Sequence, residues 1–328
     1  MLCPHCSQSL KYKERSGNTC SGCYKYFAFE PKTHPLQLSD TYFSKIINKL
    51  SNRDKLFYTS QQLQFAVSRK KVKSKSSIVA LIIVAVITTI FALFISPPAA
   101  IAVILFWIVL IITKIIYSKK YVSLPQMPQE FESEVINCWK SAYKTYPSKL
   151  ITKHKLHEDF NHNLNGILIC EDYETAMCLS ANEIDKKLHS AIVADPNKIT
   201  ELLQKRANLT VYVLHGASID GYEFFEKVKR RIGRQARVIN IGLRPQAVMK
   251  SQLMKFREKS GTTANFNNLT SEENAWLNKG YYTPLFVLKP ENLIKYVTNQ
   301  ITRKSKIVSV NDAEKTAKNI GFMTWVNE

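Results

Sequence analysis

Acid is what this chain lacks most. Its 328 residues hold 26 Asp and Glu against 46 Lys and Arg, a formal net charge of +20. So few carboxylates exclude a self-neutralising surface, and because the basic residues spread well beyond any one cluster, an anionic partner is expected. Charge is missing altogether from Ile78 to Ile95, IVALIIVAVITTIFALFI, and nearly so from Ala99 to Tyr117, AAIAVILFWIVLIITKIIY. Each run is about as long as a helix needs to cross a hydrocarbon core. Between them, Ser96, Pro97 and Pro98 make a turn too short for a domain, and proline there breaks one helix and starts the next.

A two-helix transmembrane hairpin over residues 76–118 is therefore expected, with everything folded on one side of the bilayer. Arg69, Lys70, Lys71, Lys73 and Lys75 precede it, and Lys114, Lys119 and Lys120 end it. The positive-inside rule then places both termini in the cytoplasm, at the inner membrane if the source is bacterial. A hairpin buried in a soluble core is the alternative, but such helices normally keep a polar face. A cleaved signal peptide does not fit a run that begins so far from Met1. An integral membrane protein of this charge has two anionic surfaces in reach, the lipid bilayer itself and DNA or RNA.

Seven cysteines on the cytoplasmic side exclude a disulfide framework and point to metal wherever their spacing suits it. Cys3, Cys6, Cys20 and Cys23 form the knuckles CPHC and CSGC, separated by enough chain for a hairpin turning at Ser16, Gly17 and Asn18. Each knuckle supplies two corners of a tetrahedron, so a small β zinc ribbon is expected over residues 1–35. Four thiolates leave no open position for a substrate, which favours structural zinc over redox or iron chemistry. Tyr24 to Phe29 alternate like a strand covering a very small core. His5 is expected at the surface. Lys11, Lys13, Arg15, Lys25 and Lys32 make either an anion-binding face or a solvated one, and the ribbon is equally suited to docking a protein partner.

A helical linker is expected over 36–75. Ser39 or Asp40 caps a helix with Phe43, Ile46, Ile47 and Leu50 on one face, and a second segment lies around Gln61 to Val67. After the hairpin, Pro125 and Pro128 mark a stiff exit, and Phe131, Val135, Cys138 and Ala142 recur at helical spacing as the start of a cytoplasmic α/β domain over 125–328. There, short apolar runs at Ile167 to Cys170, Ala191 to Ala194, Val211 to Leu214 and Val238 to Ile241 alternate with amphipathic stretches. One stretch carries Met177, Ala181, Ile184 and Leu188 as a single stripe, another covers Thr200 to Ala207, and a third runs from Tyr222 to Ile232. This order predicts βαβ units and a mainly parallel sheet, with ligands beyond the carboxyl ends of its strands. Nearer the C-terminus, a loop is expected over Gly261 to Asn268, a helix near Ala275 to Lys279, a strand over Pro284 to Leu288 and a helix from Pro290 to about Arg303.

Two strand ends carry the most informative residues: Ile167-Leu168-Ile169-Cys170-Glu171-Asp172-Tyr173-Glu174 and Val211-Tyr212-Val213-Leu214-His215-Gly216-Ala217-Ser218-Ile219-Asp220-Gly221. They resemble the Toprim fold of topoisomerases, primases and related nucleases. In that family a glutamate after the first strand and a D-x-D-x-x-G turn after a later one hold magnesium for phosphoryl transfer. Glu171 matches the glutamate and Gly221 the glycine, whereas Gly216 and Ser218 stand where the family has aspartates. Val238-Ile239-Asn240-Ile241-Gly242-Leu243-Arg244-Pro245 is similar to the strand and Gly-Leu-x-Pro segment after the Toprim core of type IIB topoisomerase A subunits. The resemblance covers 166–248, without the DNA-cleaving tyrosine domain of those enzymes.

Three functions follow as alternatives. One is a non-catalytic Toprim-like module on the cytoplasmic face, binding nucleic acid or a protein, in an architecture that would suit defence against foreign DNA. The second is a magnesium-dependent nuclease or phosphotransferase with displaced carboxylates at Glu171, Asp220 and Glu223, and Asp172 and Glu174 nearby. The third is a membrane scaffold binding only proteins. His215, at a strand end, either touches a phosphate or is structural. Lys227, Lys229, Arg230, Arg231, Arg234 and Arg237, with Arg244 beyond, are the candidate nucleic-acid-binding run near that crevice.

Overall fold

The fold is taken from a computed structural model, which describes residues 1–74, 84–90, 97–118, 131–153, 155–156, 164–206, 209–258 and 263–319. The chain forms two compact units that interleave along the sequence. One gathers residues 1–47, 63–147 and 245–283, and the other gathers 48–62, 148–244 and 284–328. The contiguous α/β domain expected over 125–328 is thus divided, its first helix and the stretch 245–283 falling in the first unit.

In the first unit the N-terminal ribbon is poorer in β-structure than expected. It holds only isolated bridges, Leu2 with Ser9 and Thr19 with Tyr26, and the chain between the knuckles winds as a kinked 3-10 segment, Tyr12–Asn18. Tyr24 and Tyr26 point outward while Phe27, Ala28 and Phe29 are all buried, so the alternation does not mark a strand. Helix α1, Asp40–Leu50, buries Phe43, Ile46, Ile47 and Leu50 as its spacing requires. Ser39 caps it by accepting the Tyr42 amide at 3.3 Å. Asp40 is turned elsewhere: its buried carboxylate accepts the Ala28 and Phe29 amides at 2.8 and 2.9 Å and the Tyr143 hydroxyl at 2.6 Å. Tyr143 ends the helical stretch 131–143, a π-turn at Glu132–Asn137 followed by a short helix, and Trp139 of that stretch packs on Phe29 and Phe43.

Helix α2, Ser60–Ser74, runs toward the apolar hairpin. Of that hairpin, residues 84–90 are helical, helix α3 covers Pro97–Ser118, and the remainder of the first run lies outside the described residues. The Trp107 indole N–H donates to the Thr88 hydroxyl at 2.8 Å, tying the two helical pieces together. Over the described side chains, no helix is both long and apolar enough to cross a membrane.

The second unit contains a four-stranded parallel sheet in the order β2-β1-β3-β4: β1 Gly166–Cys170, β2 Ser190–Val193, β3 Thr210–Leu214 and β4 Val238–Asn240. Strand residues i and i+2 share a face. Ile167, Ile169, Ala191, Val193, Val211 and Val213 thus form one buried layer with Ile199, Phe225, Val228 and Ile232 from the helices that follow β2 and β3. Each buried Val, Ile or Phe side chain of this layer contributes about 1.5–3 kcal/mol. The expected single stripe after β1 is broken into two helices, Tyr173–Ala181 and Ile184–Leu188, because Asn182 donates its amide to the Cys178 and Phe57 carbonyls and Glu183 takes φ +56°. Leu285–Val287 is a 3-10 turn rather than the expected strand, and the last helix extends over Pro290–Asn319.

Candidate functional site

The ribbon brings four thiols together. The sulfurs of Cys3, Cys6, Cys20 and Cys23 all lie within 4.8 Å of one another, with Cys3 to Cys23 at 3.7 Å and Cys6 to Cys20 at 3.8 Å. Backbone amides point at them: His5 N–H at the Cys3 sulfur, and Gly22 and Cys23 N–H at that of Cys20. The Cys23 amide, and behind it that of Gly22, hold the Cys20 thiol down at about 7, while, against the Gln8 amide, burial and the neighbouring thiols push that of Cys6 up to about 12. This cluster can hold a metal ion. His5 is exposed and donates to the Tyr26 carbonyl at 2.9 Å, outside the cluster, as its sequence position implies.

The two knuckles are one structure used twice, offset by 17 positions, as the bridges Leu2 with Ser9 and Thr19 with Tyr26 show. Cys3 N–H bonds to the Gln8 carbonyl as Cys20 N–H bonds to that of Lys25, and Ser7 N–H bonds to the Cys3 carbonyl as Tyr24 N–H bonds to that of Cys20. Ser7 and Tyr24 share the left-handed conformation, φ +61° and +55°. No β-hairpin is needed: each knuckle closes on itself.

Of the basic residues around the ribbon, Arg15 is committed. It bonds both Glu30 oxygens at 2.9 Å in a nearly buried pair. The Lys32 ammonium sits 4.3 Å from the centre of the Tyr12 ring, while Lys11, Lys13 and Lys25 remain exposed.

The second candidate site is the crevice at the carboxyl ends of β1 and β3. These adjacent strands are the topological switch point, since β2 lies on one side of β1 while β3 and β4 lie on the other. Glu171 follows β1, and its carboxylate accepts the Gly216 amide at 2.8 Å. Burial, joined by the charges of Asp172 and Asp220 and opposed by the Gly216 bond, raises the Glu171 carboxyl above its ordinary range. Asp172 caps the helix Tyr173–Ala181 by accepting the Thr175 amide. Glu174 accepts from the Ser60 hydroxyl and Gln61 amide, fixing the start of α2. Ser218 caps the helix Ile219–Ile232 by accepting the Gly221 amide at 3.0 Å. The positions where the Toprim resemblance asks for aspartates thus serve local structure, Gly216 through its N–H and Ser218 through its hydroxyl.

Asp220 and Glu223 are exposed on the first turns of that helix. The Asp220 charge reaches Glu171, yet the three acids do not form a metal-ligand group: among the described residues, the four cysteines form the one group of three or more potential metal ligands close enough to share an ion. His215 is fully buried, with Nδ1 2.6 Å from the Gly216 carbonyl and Nε2 3.0 Å from Asn240 Oδ1. Asn240 Oδ1 also accepts the Gly242 amide, and Gly242 lies so close to the imidazole that a side chain there would collide with it. Burial drives the His215 pKa down to about 4 against the pull of both acceptors, and a ring with no exposed surface and both nitrogens held inside the fold is structural rather than a phosphate ligand. Asn240 was legible only as a strand residue; its role depends on His215, far off in sequence.

The basic run lies away from this crevice. The Arg237 carbonyl accepts the Val211 amide at the start of β3, so the helix Ile219–Ile232 descends from the crevice and delivers the run to the amino-terminal edge of the sheet. Lys227, Lys229, Arg230, Arg231, Arg234 and Arg237 are all exposed there. Arg231 bonds to Asn197 Oδ1, and none of the six is in an ion pair among the described residues.

No family model matches the chain, no curated protein matches it, and no solved structure matches its fold.

Proposed function

We propose that this protein is a membrane-held, Toprim-like module with a structural zinc ion, which binds nucleic acid without cleaving it. The observation that carries the reading is the contrast of charges in the α/β unit. The crevice acids Glu171, Asp172 and Glu174 are engaged as acceptors of backbone amides, whereas the six exposed cations at the opposite edge of the sheet have no acidic partner among the described residues. Phosphate backbones are the polyanion that such a patch attracts. Zinc fits the ribbon: a tetrahedron of Zn–S bonds of ~2.3 Å has edges of about 3.8 Å, two of the six sulfur separations are 3.7 and 3.8 Å, and all lie within 4.8 Å. Cys3, Cys6, Cys20 and Cys23 would hold the ion with a closed shell, which supplies folding energy rather than chemistry.

Membrane attachment rests on the uncharged run Ile78 to Ile95, the flanking lysines and arginines, and the outward apolar side chains of α3, where Ile101, Leu105, Phe106 and Val109 are 58–61% exposed. Retention in the membrane fraction after alkaline extraction is expected, and release would remove that part of the reading.

The binding test is fluorescence anisotropy of the detergent-solubilised full chain with labelled oligonucleotides over a salt series. Exchanging Arg230, Arg234 and Arg237 for Gln should weaken binding at least tenfold at low salt and flatten the slope of log affinity against log salt by about 2–3. Unchanged affinity and slope would refute it.

A further inference from the structure

The paired knuckles contain their own control. Both halves build the same turn around the same cysteine spacing, yet the first carries Ser7-Gln8-Ser9 where the second carries Tyr24-Lys25-Tyr26. The turn therefore needs neither an aromatic ring nor a cation at these places. Tyr24 is the less economical choice, because a bulky residue at φ +55° is disfavoured where serine or glycine costs less. Burial does not explain it: Tyr24 is 81% exposed and Tyr26 47%. Among the described residues, neither ring stacks on another ring or lies under a cation, whereas Tyr12 is covered by Lys32 and Arg15. Lys25 stands between the two tyrosines, also exposed, with Lys11 and Lys13 exposed on the same small module.

We infer that the second knuckle is a stacking platform for single-stranded nucleic acid, with Tyr24 and Tyr26 taking bases on their faces and Lys25 a phosphate. The inference rests on the nucleic-acid reading above and adds to it a second site and a preference for unpaired bases. Exposed aromatic faces beside cations suit single strands because every base offers a π-face, whereas a duplex hides its bases in the stack. The basic surroundings supply charge complementarity to the backbone.

The test copies the first knuckle onto the second in the full-length, metal-loaded chain: Tyr24→Ser and Tyr26→Ser, singly and together, and Lys25→Gln. Anisotropy is measured with a single-stranded and a duplex oligonucleotide of equal length, and metal content is determined on every variant. Each tyrosine exchange should weaken single-strand binding by about tenfold while leaving duplex binding and metal content unchanged. The lysine exchange should chiefly reduce the salt slope. If the double variant binds single strands as the parent does while the Arg230, Arg234 and Arg237 exchange still weakens binding, the platform is wrong and the broader reading survives. If the parent chain binds neither oligonucleotide, both fall, and the tyrosine face is left to a protein partner.

Discussion

The ribbon and the strand-end crevice are both places where metal-ligating residues approach one another, and they end differently. In the ribbon, each thiol sits in a knuckle whose backbone amides point at sulfur, and the side chains converge within 4.8 Å. In the crevice, the three acids after β1 each meet an amide first: Glu171 that of Gly216, Asp172 that of Thr175, Glu174 that of Gln61. A carboxylate that accepts a backbone N–H satisfies local structure, and its direction is set by that bond rather than by a shared centre. Proximity of acids in the sequence therefore does not by itself gather a set of ligands, whereas two self-closed knuckles bring four thiols close enough to hold an ion.

The comparison breaks most visibly at the cysteines. Cys20→Ser should remove the metal, from one ion per chain to none by elemental analysis, with the ribbon unfolding while the parallel sheet keeps its circular-dichroism signal. Metal retained at full stoichiometry would show that the cluster does not act as one site.

A smaller effect is expected at the crevice from His215. Its pKa is 6.5 when unfolded and about 4 when folded, so folding favours the neutral ring. The stability this provides is complete above pH 6.5 and is lost as pH falls toward 4, about 3 kcal/mol over that window. Thermal midpoints of the parent should fall more steeply through it than those of a His215→Gln variant. Parallel curves would mean that His215 is charged or exposed in the native state.

Smaller still is Glu171→Gln, which keeps an acceptor for the Gly216 amide. Because the Glu171 carboxyl is raised by burial, its charge opposes folding, and the parent loses stability as pH rises above the ordinary value of 4.5. The glutamine variant should not share that loss, so the two should diverge upward in pH. A variant less stable than the parent at neutral pH would point to a missing cationic partner for the carboxylate.

Local features were legible in the sequence. The cysteine spacing contains its own geometry, and β1, β2 and β3 read as short apolar runs because a covered parallel sheet buries both faces. What stayed hidden depends on distant partners. The break at Asn182 is set by the Phe57 carbonyl, and Glu174 is turned toward Ser60 and Gln61, more than a hundred positions earlier. Tyr24 to Phe29 mislead for a local reason: Tyr24 adopts the left-handed conformation, which ends the alternation that the residue types suggest. Of the basic run, Lys227, Lys229, Arg230 and Arg231 lie on the helix Ile219–Ile232 and Arg234 and Arg237 follow it, at the end of the sheet away from the crevice rather than beside it, because the helix's direction follows from the parallel pairing of β3 and β4.

The most direct test of the crevice is calorimetric titration of the full chain with magnesium and manganese, beside Glu171→Gln and Asp220→Asn variants. With Glu171 held by the Gly216 amide and Asp220 exposed, no saturable heat is expected in any of the three proteins. Saturable, one-site binding that disappears in the variants would contradict a non-catalytic crevice and establish a divalent-cation site at Glu171.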